Sequence, residues 1–114
     1  MSIEKVYAQL SCRDLERSVA WFERLFDRRP DARPMDGLAE WHHEDKAGLQ
    51  VFENASSAGS GTLTLIVNDL RNEHSRLVDA GLEPSAIEPA DTTSLVQLRD
   101  PDRNLVVLAQ PGRA

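Results

Sequence analysis

The side chains best suited to chemistry lie close together near the middle of the chain. His42 and His43 are adjacent, and Glu40 and Glu44 flank them. Imidazole and carboxylate groups bind divalent metals and transfer protons. The segment is predicted to be a strand, however, and neighbouring side chains of a strand point to opposite faces. The two histidines therefore cannot both face one ion, which disfavours a metal site built on this pair.

Two other reactive groups are better interpreted as core residues. Cys12 belongs to an alternating apolar pattern, and no nearby residue is evident that would lower its pKa, so a small buried side chain is favoured over a nucleophile. His74 lies on the apolar stripe of a predicted helix, where a partly buried, hydrogen-bonded imidazole is expected. No catalytic residue is assigned from these groups.

An internal repeat with an offset of 55 residues predicts the elements that position these side chains. Residues 10–15 and 65–70 each end an alternating strand and open a helix, with Asp14 and Asp69 suited to cap it. The helical faces superpose as well, because Leu15, Val19 and Phe22 correspond to Leu70, His74 and Leu77. The sequence therefore predicts two similar modules, each with a strand, a helix and a following hairpin. Each module has a possible extra strand, which in the second module lies near Ile87.

Later elements complete the two modules. Pro30 and Pro34 are expected to end the first helix, and Gly81 suits the end of the second. The predicted hairpins pair residues 38–44 with 48–53, and 94–99 with 105–110.

Bulk composition limits the class of protein. We expect a single domain over residues 1–114, with module one at about 4–54, a linker at 55–61 and module two at about 62–110. No apolar run approaches the ~20 residues of a membrane helix, and no membrane partner is expected. The net charge is −6 and the basic residues are scattered, which argues against nucleic acid. One cysteine and no leader-like start suggest a cytoplasmic location.

The two opening strands each have one polar face. Tyr7, Gln9 and Ser11 share a face of the first strand, and the corresponding face of the second carries Thr62, Thr64 and Ile66. The opposite, apolar faces are expected to pack on the helices. The polar faces then either line a wet cavity or face solvent.

Two motifs resemble the vicinal oxygen chelate superfamily, which includes glyoxalase I, bleomycin resistance proteins and extradiol dioxygenases. Residues 6–26 resemble its opening module, and residues 98–104 resemble its closing hairpin, usually Asp-Pro-Asp-Gly-Asn. The resemblance implies an α+β fold of two βαβββ modules, whose eight strands form an open, half-barrel-like mixed sheet, and a homodimer. Arg103 stands where the family has Gly, so either Arg103 is strained or the turn differs, with Asn104 taking the left-handed conformation.

The metal-binding members of that superfamily place His and Glu at four positions. In this sequence the four positions hold Tyr7, Gln50, Thr62 and Val107. None of these side chains is an ordinary ligand of a divalent metal at neutral pH. We therefore expect no metal and no cofactor, and a rearranged metal site is the less favoured alternative.

The remaining side chains on the inward face form an apolar and aromatic lining with a few neutral hydrogen-bonding groups, which is typical of small-molecule binding. The predicted ligand-binding residues are Tyr7, Gln9, Gln50, Phe52, Thr62, Thr64 and Val107. Trp41 is added to this set, with a place in a dimer interface as an equal alternative. Ordinary sheet packing is the alternative for every position.

The sequence thus favours a metal-free protein that binds or sequesters a small organic molecule in a cavity between modules or subunits. The alternative is an enzyme of the lyase, isomerase or dioxygenase-like type with a non-standard active site, using Tyr7 or a cavity histidine for proton transfer. A purely structural interaction module is a third interpretation, which an occluded cavity would support.

Overall fold

The first strand and helix form where the repeat predicts them. The computed structural model describes residues 1–89 and 92–112. β1 spans Val6–Cys12 and α1 spans Leu15–Phe26, and the side chain of Asp14 accepts a hydrogen bond from the Arg17 backbone N–H. The helix ends where Asp27 takes a left-handed conformation, before either of the prolines expected to stop it.

A three-stranded sheet, sheet A, completes the first half of the chain. β2 spans Leu38–His43 and β3 spans Ala47–Glu53. The strand order is β1-β3-β2, with β1 parallel to β3 and β2 antiparallel to it. Both strands of the predicted hairpin are confirmed, and their first and last residues agree with the prediction to within a residue or two.

A four-stranded sheet, sheet B, forms the second half with its own helix. The elements are β4 (Thr62–Ile66), α2 (Leu70–Asp79), β5 (Glu88–Pro89), β6 (Thr93–Arg99) and β7 (Leu105–Pro111). The strand order is β4-β7-β6-β5. Asp69 caps α2 through the Asn72 backbone N–H, so both capping aspartates of the repeat are confirmed. The predicted second module includes residues 90 and 91, which lie outside the described residues.

The α+β class and the paired modules are confirmed, but the sheet differs in detail from the one that the resemblance implies. The described residues contain seven strands in two sheets rather than eight in one. In the first module an isolated bridge between Ala32 and Glu40 stands in place of a fourth strand. Pro30 and Pro34 flank this bridge, and proline has no N–H to extend a ladder. Among the described residues, no helix is long and apolar enough to cross a membrane.

One hydrophobic core joins the two modules and separates the two faces of each sheet. The face of each sheet that packs on the helices supplies side chains such as Leu10, Val51, Leu63 and Val106, all almost fully buried. The opposite faces carry the polar residues of β1 and β4. The alternation predicted from the sequence therefore holds in both modules.

The turn between β6 and β7 binds the two modules together through Asn104, whose side chain has no exposed surface. Its Oδ1 accepts hydrogen bonds from the backbone N–H groups of Gly59 and Gly61, at 3.1 and 2.9 Å. Its Nδ2 donates to the Ser11 carbonyl at 3.0 Å and to Asp100 Oδ2 at 2.8 Å. All the donors and acceptors of the amide are used, across β1, the linker and the turn.

The same turn makes a second connection to the first module. Asp102 accepts hydrogen bonds from the backbone N–H and the guanidinium of Arg13, and from the Ser18 hydroxyl. Arg103 has a φ of 76°, so the side chain that replaces the family's Gly takes the strained conformation itself. Because Arg103 takes the left-handed conformation of this turn, Asn104 does not have to, and its buried side chain makes the hydrogen bonds described above.

We predict that Asn104→Ala lowers the free energy of unfolding by about 3 kcal/mol, because partly buried backbone groups at Ser11, Gly59 and Gly61 lose their hydrogen-bond partner. Urea denaturation measures the change. Asn72→Ala, on the exposed surface of α2, is the matched control and should change stability by no more than about 0.5 kcal/mol. Equal effects of the two substitutions would show that the amide does not connect the modules.

Candidate functional site

A row of hydrogen-bonded polar side chains crosses the face of sheet A that points away from the helices. Gln9 lies opposite Gln50 in the β1–β3 register, and Gln50 lies opposite Glu40 in the β3–β2 register. Gln9 Nε2 donates to Gln50 Oε1 at 3.0 Å, and Gln50 Nε2 donates to Glu40 Oε2 at 2.7 Å. The three strands therefore hold the three side chains in one continuous row.

Two rings extend this row along the same face. His42 lies two residues beyond Glu40 on β2, and its Nε2 is 3.1 Å from Glu40 Oε1. The Tyr7 ring meets the His42 ring edge-on, with centroids 6.1 Å apart. The Tyr7 ring can lie across β3 because Gly48 has no side chain there: a Cβ on Gly48 would come within 2.6 Å of Tyr7 Cε1. We call Tyr7, Gln9, Glu40, His42 and Gln50 the polar row.

Glu40 is the electrostatic centre of the polar row. Its side chain is 10% exposed, yet its pKa is lowered, chiefly by the hydrogen bond from Gln50 and further by those from His42 and Tyr7, against the opposing effect of burial. Among the described residues, no Lys or Arg nitrogen lies within 4.0 Å of its carboxylate. The hydrogen bonds that lower the pKa of this carboxylate therefore come from Gln50, His42 and Tyr7 rather than from a Lys or Arg.

The structure divides the predicted ligand-binding residues between the two sheets. Tyr7, Gln9, Gln50 and Phe52 share the outer face of sheet A, where Phe52 lies opposite Ser11. On sheet B, Thr62 lies opposite Leu105 and Thr64 lies opposite Val107 on the face that carries the exposed side chains of β4. These residues belong to the outer faces of two different sheets, whose edge strands β1 and β4 meet.

Trp41 lies elsewhere, which corrects its inclusion in the lining. It faces the core, has no exposed surface, and packs near Phe22 and Phe26 while its indole N–H donates to the Arg28 carbonyl. The reason is strand parity, because Trp41 lies between the outward-facing Glu40 and His42. In this structure it contributes neither to the outer face nor to an exposed interface.

Glu40 and His42 are the site residues that the sequence reasoning missed. The two histidines of the pair do point to opposite sides, as expected: His43 packs on Phe26, with centroids 4.7 Å apart, and burial lowers its pKa. The register of the β2–β3 hairpin could have identified both residues from the sequence. A turn centred on residue 45 places Glu40 opposite Gln50, and hence on the predicted ligand face.

The residues at the four family metal positions do not form a ligand set. Tyr7 and Gln50 lie on sheet A, and Thr62 and Val107 lie on sheet B. A phenol, a neutral amide, an alcohol and an aliphatic side chain do not suit a divalent ion. Residues 1–89 and 92–112 also contain no group of three His, Cys, Asp or Glu side chains placed to share one. The side chains at these four positions are therefore not a suitable ligand set for a divalent metal.

An apolar cleft of about 530 Å³ opens between the modules on the helix side of the sheets. Of the predicted ligand-binding residues it includes only Thr64, and its walls are mainly aliphatic. Its arginine, Arg76, is already paired with Glu73 and with the carbonyls of Arg24 and Leu25 at the end of α1. The cleft therefore offers apolar surface without a free charged group.

Cys12 and His74 have the structural roles expected for them. The thiol of Cys12 is fully buried, and its burial, opposed by a hydrogen bond with Ser18, raises its pKa to about 11. His74 Nε2 lies 2.9 Å from the Ser85 carbonyl oxygen, in a partly buried position. Neither side chain belongs to the polar row.

Solved structures match nearly the whole chain. A glyoxalase/bleomycin resistance protein from Catenulispora acidiphila DSM 44928 is 27% identical, with a TM-score of 0.86, over 94% of this chain and 97% of its own. TnmS3, an antibiotic binding protein from Streptomyces sp. CB03234, is 19% identical, with a TM-score of 0.84, over 98% of this chain and 99% of its own. A bleomycin-binding protein complexed with bleomycin is 22% identical, with a TM-score of 0.79, over 94% and 98%.

These matches agree with the sequence motifs. The chain has the fold of the glyoxalase and bleomycin resistance proteins, consistent with the vicinal oxygen chelate superfamily. No protein-family model and no curated protein matches the sequence. The likeness therefore stands on three-dimensional structure together with the two motifs.

We predict that native Cys12 reacts with 5,5′-dithiobis(2-nitrobenzoate) at pH 8 at least about 100-fold more slowly than Cys12 of the urea-unfolded chain. A pKa of about 11 in place of 9.0 reduces the thiolate fraction by that factor, and burial slows the reaction further. Absorbance of the released thiol measures the rate. Comparable rates in the two states would contradict the buried, unactivated thiol.

The same thiol predicts how stability changes at alkaline pH. Because its pKa is raised in the folded state, its contribution is fully present below pH 9 and is lost as the pH rises to about 11, by up to about 1.4 kcal/mol per pH unit. Cys12→Ala should lack this component when the two denaturation series are compared.

Proposed function

We propose that the chain is a binding protein of the glyoxalase/bleomycin resistance type, which holds a small organic molecule against the outer face of sheet A. The polar row is the observation that carries the proposal. It presents amide, imidazole and phenol groups on three adjacent strands, beside the half-buried ring of Phe52. Aromatic surface with a few fixed polar groups is the usual composition of a small-molecule site.

The energetics of the polar row support a binding role over ordinary sheet packing. A nearly buried carboxylate without a cationic partner contributes little to stability compared with an apolar side chain in the same place. Hydrogen bonds from neighbouring strands hold its geometry, so the groups are already positioned before a ligand arrives. A surface that only had to face solvent needs no such arrangement.

The structural neighbours support the same class of function. TnmS3 is described as an antibiotic binding protein, and another neighbour is a bleomycin-binding protein. The side chains at the four family metal positions favour capture of the ligand without a metal. A cytoplasmic location, suggested by the single cysteine, is part of this proposal.

A homodimer is the second part of the proposal. The edge strands β1 and β4 carry exposed apolar side chains, with Val6 64% exposed and Ile66 66% exposed, and both line the apolar cleft. Neither strand has a hydrogen-bonded partner strand on its outer edge among the described residues. A second copy that packs against the exposed Val6 and Ile66 side chains would cover the cleft, and its residues beside β1 and β4 would complete a ligand cavity between subunits.

Proton transfer is a second candidate function, favoured by one contact. Glu40 Oε1 lies 3.1 Å from His42 Nε2, which orients the imidazole and leaves its Nδ1 available as a base. A bound ligand recovered unchanged supports capture. Conversion of the ligand that is lost in His42→Gln, with binding retained, supports the enzyme.

We predict that aromatic amide and alcohol fragments shift the backbone amide resonances of Gln9 and Gln50 in ¹⁵N-labelled protein. Gln50→Leu, which breaks the polar row at its centre, should weaken the affinity of these fragments by about tenfold, the effect of one or two lost hydrogen bonds. Asn72→Leu on α2 is the control and should leave the affinity unchanged. Shifts confined to other surfaces would refute the proposed site.

We predict that the protein sediments as a dimer and that Ile66→Lys makes it monomeric, because a charge replaces apolar surface at the proposed interface. Val78→Lys, at another exposed apolar side chain on α2, should leave the dimer intact. Sedimentation equilibrium distinguishes the species. A wild-type monomer at all accessible concentrations, or equal effects of the two variants, would contradict the proposed interface.

A further inference from the structure

One face of the Tyr7 ring in the polar row is already covered by the ammonium group of a lysine side chain. Lys5 Nζ lies over the Tyr7 ring, 5.6 Å from its centroid. This distance is within the range of a cation–π interaction. The Tyr7 ring is thus oriented so that one of its faces accepts a cation.

The charge that would attract such a cation lies on the same face. Glu40 is ionised, nearly buried and without a Lys or Arg partner among the described residues, and its neighbour His42 is the group that meets the Tyr7 ring. Its hydrogen bonds come from Gln50, His42 and Tyr7, so among the described residues no Lys or Arg offsets its negative charge. The overall charge of −6 also favours the approach of a cation.

We propose that this end of the polar row recognises an organic cation, an ammonium or guanidinium group on a small organic molecule, with Glu40 as its counter-charge and the Tyr7 ring as its cation–π surface. In the free protein Lys5 occupies that ring, and the ligand displaces it. The proposal rests on the proposed function, because it assigns a ligand class to the same face.

The position of Lys5 allows this exchange. Residues 1–5 precede β1 and form no regular element, and Met1 and Ile3 are exposed. The Lys5 ammonium can therefore leave the ring without disturbing a strand. It acts as a weak internal competitor, so its removal should strengthen binding of a cation and leave binding of a neutral molecule unchanged.

The choice of an organic cation over a metal ion follows from the same contacts. The Gln50 amide and the His42 ring already contact the two carboxylate oxygens, so a small ion would have to remove both. A bulky, weakly hydrated cation can be stabilised by the charge and the ring without entering that hydrogen-bonded network.

Choline and 3,3-dimethylbutan-1-ol test the proposal, because they have the same shape and differ in charge. We expect choline to shift the amide resonances of Tyr7, Glu40 and His42 with at least about tenfold higher affinity than the alcohol. In Glu40→Gln, which retains the shape and the hydrogen-bond acceptor, the two affinities should become equal to within about twofold.

Four further variants test the roles of the Lys5 charge, the Tyr7 ring and the net charge of the protein. Lys5→Gln should raise the affinity for choline about two- to fivefold, the size of the lost competition, and should not change that for the alcohol. Tyr7→Phe keeps the ring and should keep most of the choline affinity, whereas Tyr7→Leu should lose it. Asp79→Asn, at the exposed end of α2, makes the same change in net charge and should change neither affinity.

The outcomes distinguish this inference from the proposed function. Equal affinity of choline and the alcohol on this face would overturn the recognition of a cation and leave ligand binding by the face intact. A preference for choline that Glu40→Gln does not reduce would overturn the role of Glu40. No shift on this face with either probe would also overturn the inference, and the fragment titration would then decide the proposed function.

Discussion

The hydrogen bonds of the Asn104 side chain are the interaction on which the arrangement of the two modules depends. They join the closing turn of the second module to the carbonyl of Ser11 on β1, and to the linker that connects the modules. β1 also carries Tyr7 and Gln9 on its outer face. The same contact that holds the modules together therefore fixes the strand that carries two of the five residues of the polar row.

Asn104 and Glu40 are both buried polar residues, but their hydrogen bonds have different consequences. Asn104 is fully buried, with every donor and acceptor paired, and it serves the fold. Glu40 is nearly as buried, but its carboxylate is hydrogen-bonded by Gln50 and His42 and has no Lys or Arg partner among the described residues. A nearly buried carboxylate without a Lys or Arg partner on an outer face is the feature that most clearly separates the proposed binding surface from the scaffold. The apolar cleft, whose charged side chains are paired, has no comparable feature.

The local features of the fold were predictable from the sequence because short-range chemistry determines them. Asp14 and Asp69 cap their helices, and the alternation in β1 separates its two faces as expected. The division of the strands into two sheets was not predictable, because it depends on contacts between distant segments. In the candidate site, Tyr7, Gln9, Gln50 and Phe52 were placed on one face correctly. Trp41 was misplaced and Glu40 overlooked for a single reason, the unassigned register of the β2–β3 hairpin.

A crystallographic fragment screen tests most directly whether the outer face of sheet A is the binding surface. The cleft on the helix side is the competing site, and the two lie on opposite faces of the same strands. We expect bound fragments to gather against Tyr7, Gln50 and Glu40. Fragments that gather in the cleft between Val6 and Leu65, with the outer face unoccupied, would contradict it.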